Sequence, residues 1–118
     1  GYQTVLKDLK PSTKQRFIAI NFDFPREDVE RKIIVNEVPG VAPEIAAKLV
    51  ATGHKARLLK DHGLEEATST RALVYAANMI GAGLDPINAC QVAIINPITD
   101  DIELAEALLE IVKAHFAQ

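Results

Sequence analysis

ATSTRALVYAANMIGAG, residues 67–83, is the stretch that decides the fold. Thr68 and Ser69 are each able to cap a helix, a strongly apolar run follows, and Gly81 and Gly83 offer stops. Reading outward from this helix, the C-terminal side continues in the same mode. Asp85-Pro86 opens a short helix with Ala89, Val92 and Ala93 inward, closed by Pro97. Asp100, with Glu103 three residues on, resembles a capping box, and Ala105, Leu108, Leu109, Val112 and Phe116 then form one apolar stripe.

On the N-terminal side, Pro43-Glu44 starts a helix that places Ile45, Leu49 and Val50 on one face. It continues through Gly53 to Leu58 and Leu59 and stops at Gly63. Gly53 costs about 1 kcal/mol relative to alanine and marks a place for a kink or break. An earlier helix takes Pro25 as its first residue, has Glu27 and Asp28 in its first turn, carries Val29, Ile33 and Ile34, and ends before Pro39-Gly40.

Ahead of these helices the pattern changes. A short helix is expected from about Ser12 to Phe17, followed by Ile18-Ala19-Ile20-Asn21-Phe22, which suits a buried strand. A lone strand leaves its backbone donors and acceptors unpaired. No second strand is legible, so this one must pair with material upstream or with another chain. The fold class expected is therefore mainly α, a helical bundle preceded by a short α/β piece with one orphan strand.

The totals exclude several classes of function. Of 118 residues, 48% are hydrophobic and 25% charged, enough for a packed core and against wholesale disorder. The net charge of −3 argues against non-specific nucleic-acid binding. No apolar run approaches the roughly 20 residues a membrane helix needs. Lys7, Asp8 and Lys10 interrupt any signal-peptide core. The single cysteine, Cys90, fits a reducing cytoplasm and, within an apolar helix, a packing role. His54, His62 and His115 lack metal-ligand spacing and read as surface or partly buried side chains. The start at Gly1, in mid-pattern and without methionine, reads as a fragment.

Two arginines carry the functional reading. Arg71 lies in the first turn of the 67–83 helix, where a cation opposes the helix dipole. A surface ion pair with Glu65 or Glu66 accounts for it, and so does an anion beyond the helix end. Arg16 closes the 12–17 helix, where its charge is favourable. Taken alone it is a solvated arginine.

In context, these segments resemble the MoxR-type AAA+ ATPases of the CbbQ/NirQ/NorQ branch. Gly1-Tyr2-Gln3 looks like the loop after that family's sensor 1 asparagine. LKPSTKQRF (9–17) is similar to the helix before its last core strand. GLEEATSTRALVYAANMIGAG (63–83) resembles the start of its lid, and NPITDDIELAEALLEIVKAHF (96–116) its terminal turn and helix. The resemblance covers nearly the whole chain with order and spacing kept.

The resemblance implies that residues 1–24 end an α/β nucleotide-binding core and that 25–118 form a C-terminal helical lid. Arg71 becomes the sensor 2 arginine that meets nucleotide phosphates. Arg16 becomes an arginine finger acting in trans. It further implies ATP and magnesium as cofactors of the parent protein, a ring of copies (usually a hexamer) and a partner carrying a von Willebrand A domain. The client implied is Rubisco or nitric oxide reductase, with a slight lean to Rubisco. No G-x-x-x-x-G-K-[ST] occurs here and no strand ends in paired acids, so the isolated chain is expected not to hydrolyse ATP. Two other classes stand beside this one. A free-standing helical interaction module without nucleotide chemistry predicts tolerance of Arg71→Ala. A transcription-factor-like domain predicts salt-dependent DNA binding, which the acidic balance opposes.

Overall fold

A computed structural model describes residues 24–59 and 67–116. The expected 12–17 helix and 18–22 strand, together with Arg16, lie outside the described residues. Within them the chain is helical, with no strand. The elements are α1 (Glu27–Glu37), α2 (Pro43–Leu58), α3 (Thr70–Gly81), α4 and α5 (Ile102–Phe116). Helix α4 begins as Pro86–Cys90, passes through a π-helical stretch Gln91–Ile95 and finishes as Asn96–Ile98.

Helix α2 is the hub, packing against α1, α3 and α5, while α3 also packs on α1 and α4. The core is built from Ile34, Leu49, Val50, Leu73, Ile94, Ile95, Leu108 and Val112, all essentially removed from water. Burying each side chain of this kind contributes about 1.5–3 kcal/mol. None of the described helices is long and apolar enough to cross a membrane.

Gly53 does not break α2, which runs unbroken to Leu58. Its missing side chain serves close approach instead. A Cβ there would stand 3.0 Å from Leu73 Cδ1, so glycine lets α3 lie close against α2. Helix α2 ends at Leu58, short of Gly63, and Leu58 is itself exposed.

Helix α3 is bounded as its sequence suggests. Ser69 Oγ accepts the Ala72 N–H at 3.1 Å. At the other end the Gly83 N–H donates to Ile80 O and the Leu84 N–H to Met79 O, both at 3.0 Å. That paired closure needs a left-handed residue, supplied by Gly83 at φ +106°.

Three expectations require correction. Pro25 is not the first residue of α1: Arg26 is the N-cap and the helix opens at Glu27, with Glu30 and Ile34 buried and Val29 exposed. Pro97 does not close α4. The widened π turn before it, in which the Asn96 N–H bonds back to Gln91 O, removes the clash between a proline ring and the carbonyl four residues earlier. The helix therefore carries through Pro97 to Ile98, and the added residue rotates its face so that Ile94 and Ile95 turn inward and Val92 outward. Finally, Asp101 and not Asp100 caps α5, accepting the Glu103 N–H at 2.8 Å and the Leu104 N–H at 3.1 Å. Thr99 Oγ1 accepts the Asp101 N–H at 3.0 Å, which selects the second aspartate of the pair.

Candidate functional site

The opening of α3 is where the chemistry gathers. Arg71 is the second residue of the helix and is exposed, with no ion-pair partner among the described residues. The first turn of α3 contains no acid, whereas α1, α2 and α5 each carry at least one there. Helix starts favour anions because unpaired N–H groups converge there. Arg71 thus adds a permanent positive charge to an end that already attracts negative charge, and no carboxylate of its own first turn neutralises it. Guanidinium suits the bidentate binding of phosphate oxygens.

Directly behind this end lies a buried ionic cluster. Glu30 of α1 is fully buried. It accepts hydrogen bonds from Arg57 Nη1 at 2.9 Å, Arg57 Nη2 at 2.6 Å and Thr70 Oγ1 at 2.6 Å. Arg57, near the end of α2, also donates through Nε to Thr68 O at 2.8 Å, and its Cζ stands 4.0 Å from the centre of the Phe24 ring. The cluster thus joins α1, α2 and the first residues of α3. His54 lies at its edge, half-buried, with Nε2 3.5 Å from Glu30 Oε1.

Burial alone pushes the Glu30 carboxyl up. The hydrogen bonds from Arg57 and Thr70, together with the charges of Arg57 and His54, outweigh that and hold it below its ordinary value. Glu30 is accordingly an anion that accepts from all sides. Burial, with some help from Asp85, pushes the Cys90 thiol up to about 12, so it is an inert core group and no nucleophile.

Of the two sequence-predicted site residues, Arg71 stands at the helix end expected of it, and Arg16 lies outside the described residues. Reading the sequence for motifs missed Glu30 and Arg57. A signal existed: Glu30, Ile34 and Val38 share one face of α1 at spacing four, as do Leu49, Gly53 and Arg57 on α2. Opposite charges on two apolar stripes are a signature of a buried pair.

The profile of the family described as CbbQ/NirQ/NorQ C-terminal matches residues 30–115, from the buried glutamate to the last turn of α5. The chain belongs to this family. It is 49% identical over 117 residues to the denitrification regulatory protein NirQ of Pseudomonas aeruginosa, covering 99% of this chain and 45% of that protein. It is 50% identical to the protein CbbQ of Hydrogenophilus thermoluteolus, covering 99% of this chain and 43% of that one. It is 43% identical to the protein NorQ of Paracoccus denitrificans, covering 98% of this chain and 43% of that one. The chain therefore spans less than half the length of these curated relatives. A match of this extent to part of longer proteins does not favour the free-standing interaction module.

Arg71 is the described residue that would hold the phosphate part of a nucleotide. Among the described residues no group of three or more His, Cys, Asp or Glu side chains is arranged to hold an ion.

Proposed function

We propose that this chain is the lid-bearing part of an ATP-driven AAA+ remodelling machine of the MoxR type. Residues 25–118 form the lid, and residues 1–24 close the nucleotide-binding core. Arg71 is the sensor 2 residue: it meets the phosphates of ATP held against the core and transmits their state to the lid through α3. The observation that carries this reading is the exposed guanidinium at the start of α3, which has no ion-pair partner among the described residues (Glu65 and Glu66 lie outside them), in a chain of this family. Arg16 acts on the adjoining subunit's nucleotide. A planar, permanent cation is suited to spreading charge on a transferring phosphoryl group, a role with a rate factor of about 10³–10⁵.

Copies of the full-length protein assemble as a cytoplasmic ring, a hexamer, that works with a von Willebrand A-domain partner. Turnover shifts the lids and remodels a client enzyme. The family resemblance implies two client classes, Rubisco and nitric oxide reductase, and restoration of either enzyme by the purified ring distinguishes them.

The deciding experiment is Arg71→Ala in the full-length protein. ATP turnover should be lost while helical content and melting temperature are kept. Unchanged turnover in a folded variant would make Arg71 an ordinary surface charge and remove the proposal.

A further inference from the structure

We infer that Glu30 and Arg57, acting through Thr70, are positioning residues for Arg71. The inference rests on Arg71 being the nucleotide sensor. It goes beyond that role by assigning what aims the sensor.

Two hydrogen bonds from other helices fix the start of α3. Thr70, the residue immediately before Arg71, donates to Glu30 Oε2 at 2.6 Å. Arg57 Nε donates to Thr68 O at 2.8 Å, on the segment leading into the helix. Successive helical residues project about 100° apart. Holding the Thr70 hydroxyl inward on Glu30 therefore sets the rotation of the first turn and sends Arg71 to an outward azimuth. The Arg57 bond to Thr68 O sets how far along its axis the helix begins.

Ser69 by itself does neither. Its bond to Ala72 N–H closes the first turn internally and moves with the helix. The anchors come from α1 and α2, and Glu30 is held rigid because both its oxygens are engaged by Arg57. A shift of the lid helices α1 and α2 therefore moves Arg71 with them, and a pull on Arg71 is felt at the α1–α2 pair. Displacements of about 1 Å at a reacting group cost on the order of a hundredfold in rate, so an anchor of this kind has catalytic consequences.

The test uses the full-length protein with Thr70→Val, which keeps the shape and loses the hydroxyl, and Thr70→Ser, which keeps the hydroxyl. Glu30→Gln is a second probe of the same anchor. Steady-state ATP turnover is measured well below each variant's melting temperature, alongside binding of a fluorescent ATP analogue. Thr70→Val should fold and lose about tenfold in kcat/KM, more through kcat than KM, because the lost interaction is one of transition-state placement. Thr70→Ser should recover most of that loss.

A folded Thr70→Val with unaltered kcat and KM, while Arg71→Ala abolishes turnover, overturns the positioning role and leaves the sensor intact. The same holds if Thr70→Val lowers only the melting temperature. If Arg71→Ala itself leaves turnover and nucleotide binding unchanged, the sensor reading fails and the positioning role falls with it. Should Glu30→Gln fail to fold, the two Thr70 variants decide the matter.

Discussion

The starts of α3 and α5 are both capped by a short polar side chain, yet they are held in place by opposite means. The α5 end is self-sufficient: Asp101 binds two N–H groups of its own first turn, Thr99 steadies Asp101, and Glu103 adds an acid where the dipole favours one. At α3 the Ser69 cap closes only the first turn. The position of that turn is set by a buried glutamate and arginine from two other helices. Its exposed charge is moreover of the sign the dipole disfavours. A helix end that serves only the fold is written in neighbouring residues. The α3 end, which on the proposed reading presents Arg71 to a ligand, is tied to the body of the protein and tolerates a local electrostatic cost.

The sharpest way to break that contrast is to cut the tie. Arg57→Ala leaves the Glu30 carboxyl buried and without its main partner, the circumstance in which losing one member of a pair costs about 3–5 kcal/mol. It also removes the cation stacked on Phe24. Chemical denaturation should show a loss of that order, the largest expected for any single polar change here. A loss below that of an ordinary surface substitution would mean that the Glu30–Arg57 cluster does not hold the start of α3 in place.

Acid probes the same tie without mutation. The folded Glu30 carboxyl titrates below its ordinary value of 4.5. Its contribution to stability is therefore complete above that pH and is lost as the pH falls through the lower folded value. Unfolding free energy followed downward from pH 4.5 should fall more steeply in the wild-type protein than in Glu30→Gln, which has no proton to take up at this site. Parallel profiles would show that the cluster does not stabilise the fold through its charge.

At the other end, Asp101→Ala should cost about 1 kcal/mol, the usual loss for an N-cap carboxylate. In the full-length protein it should leave ATP turnover unchanged below the melting transition. A turnover defect from this distant and locally built cap would contradict the division between an end that serves the fold and the end proposed to sense nucleotide.

How much of this was legible beforehand follows the same division. The α3 boundaries, the apolar stripe of α5 and the end of α1 before Pro39-Gly40 are set by local chemistry, and the sequence pattern shows them. The α5 cap is ambiguous in sequence because two adjacent aspartates offer the same group, and only the Thr99 hydrogen bond chooses between them. Pro97 misled because a proline stops a helix only when the turn before it stays α-helical, and here that turn is widened. Arg71 could be placed at a helix start from its neighbours alone. Glu30 and Arg57 could not be paired that way, because they lie 27 residues apart and meet only through packing.

The smallest expected effect on stability is at Arg71 itself. An exposed cation at a helix start opposes the dipole by about 0.3–1 kcal/mol. No described acid offsets it, and the side chain contributes nothing to the core. Arg71→Ala should therefore leave the melting temperature of the protein unchanged or raise it slightly in the absence of nucleotide. The sign should reverse when ATP is added, because the wild-type protein gains binding energy that the variant lacks. Destabilisation by Arg71→Ala without nucleotide would mean that the arginine is engaged within the fold, and α3 would then begin like α5, with an end that serves structure alone.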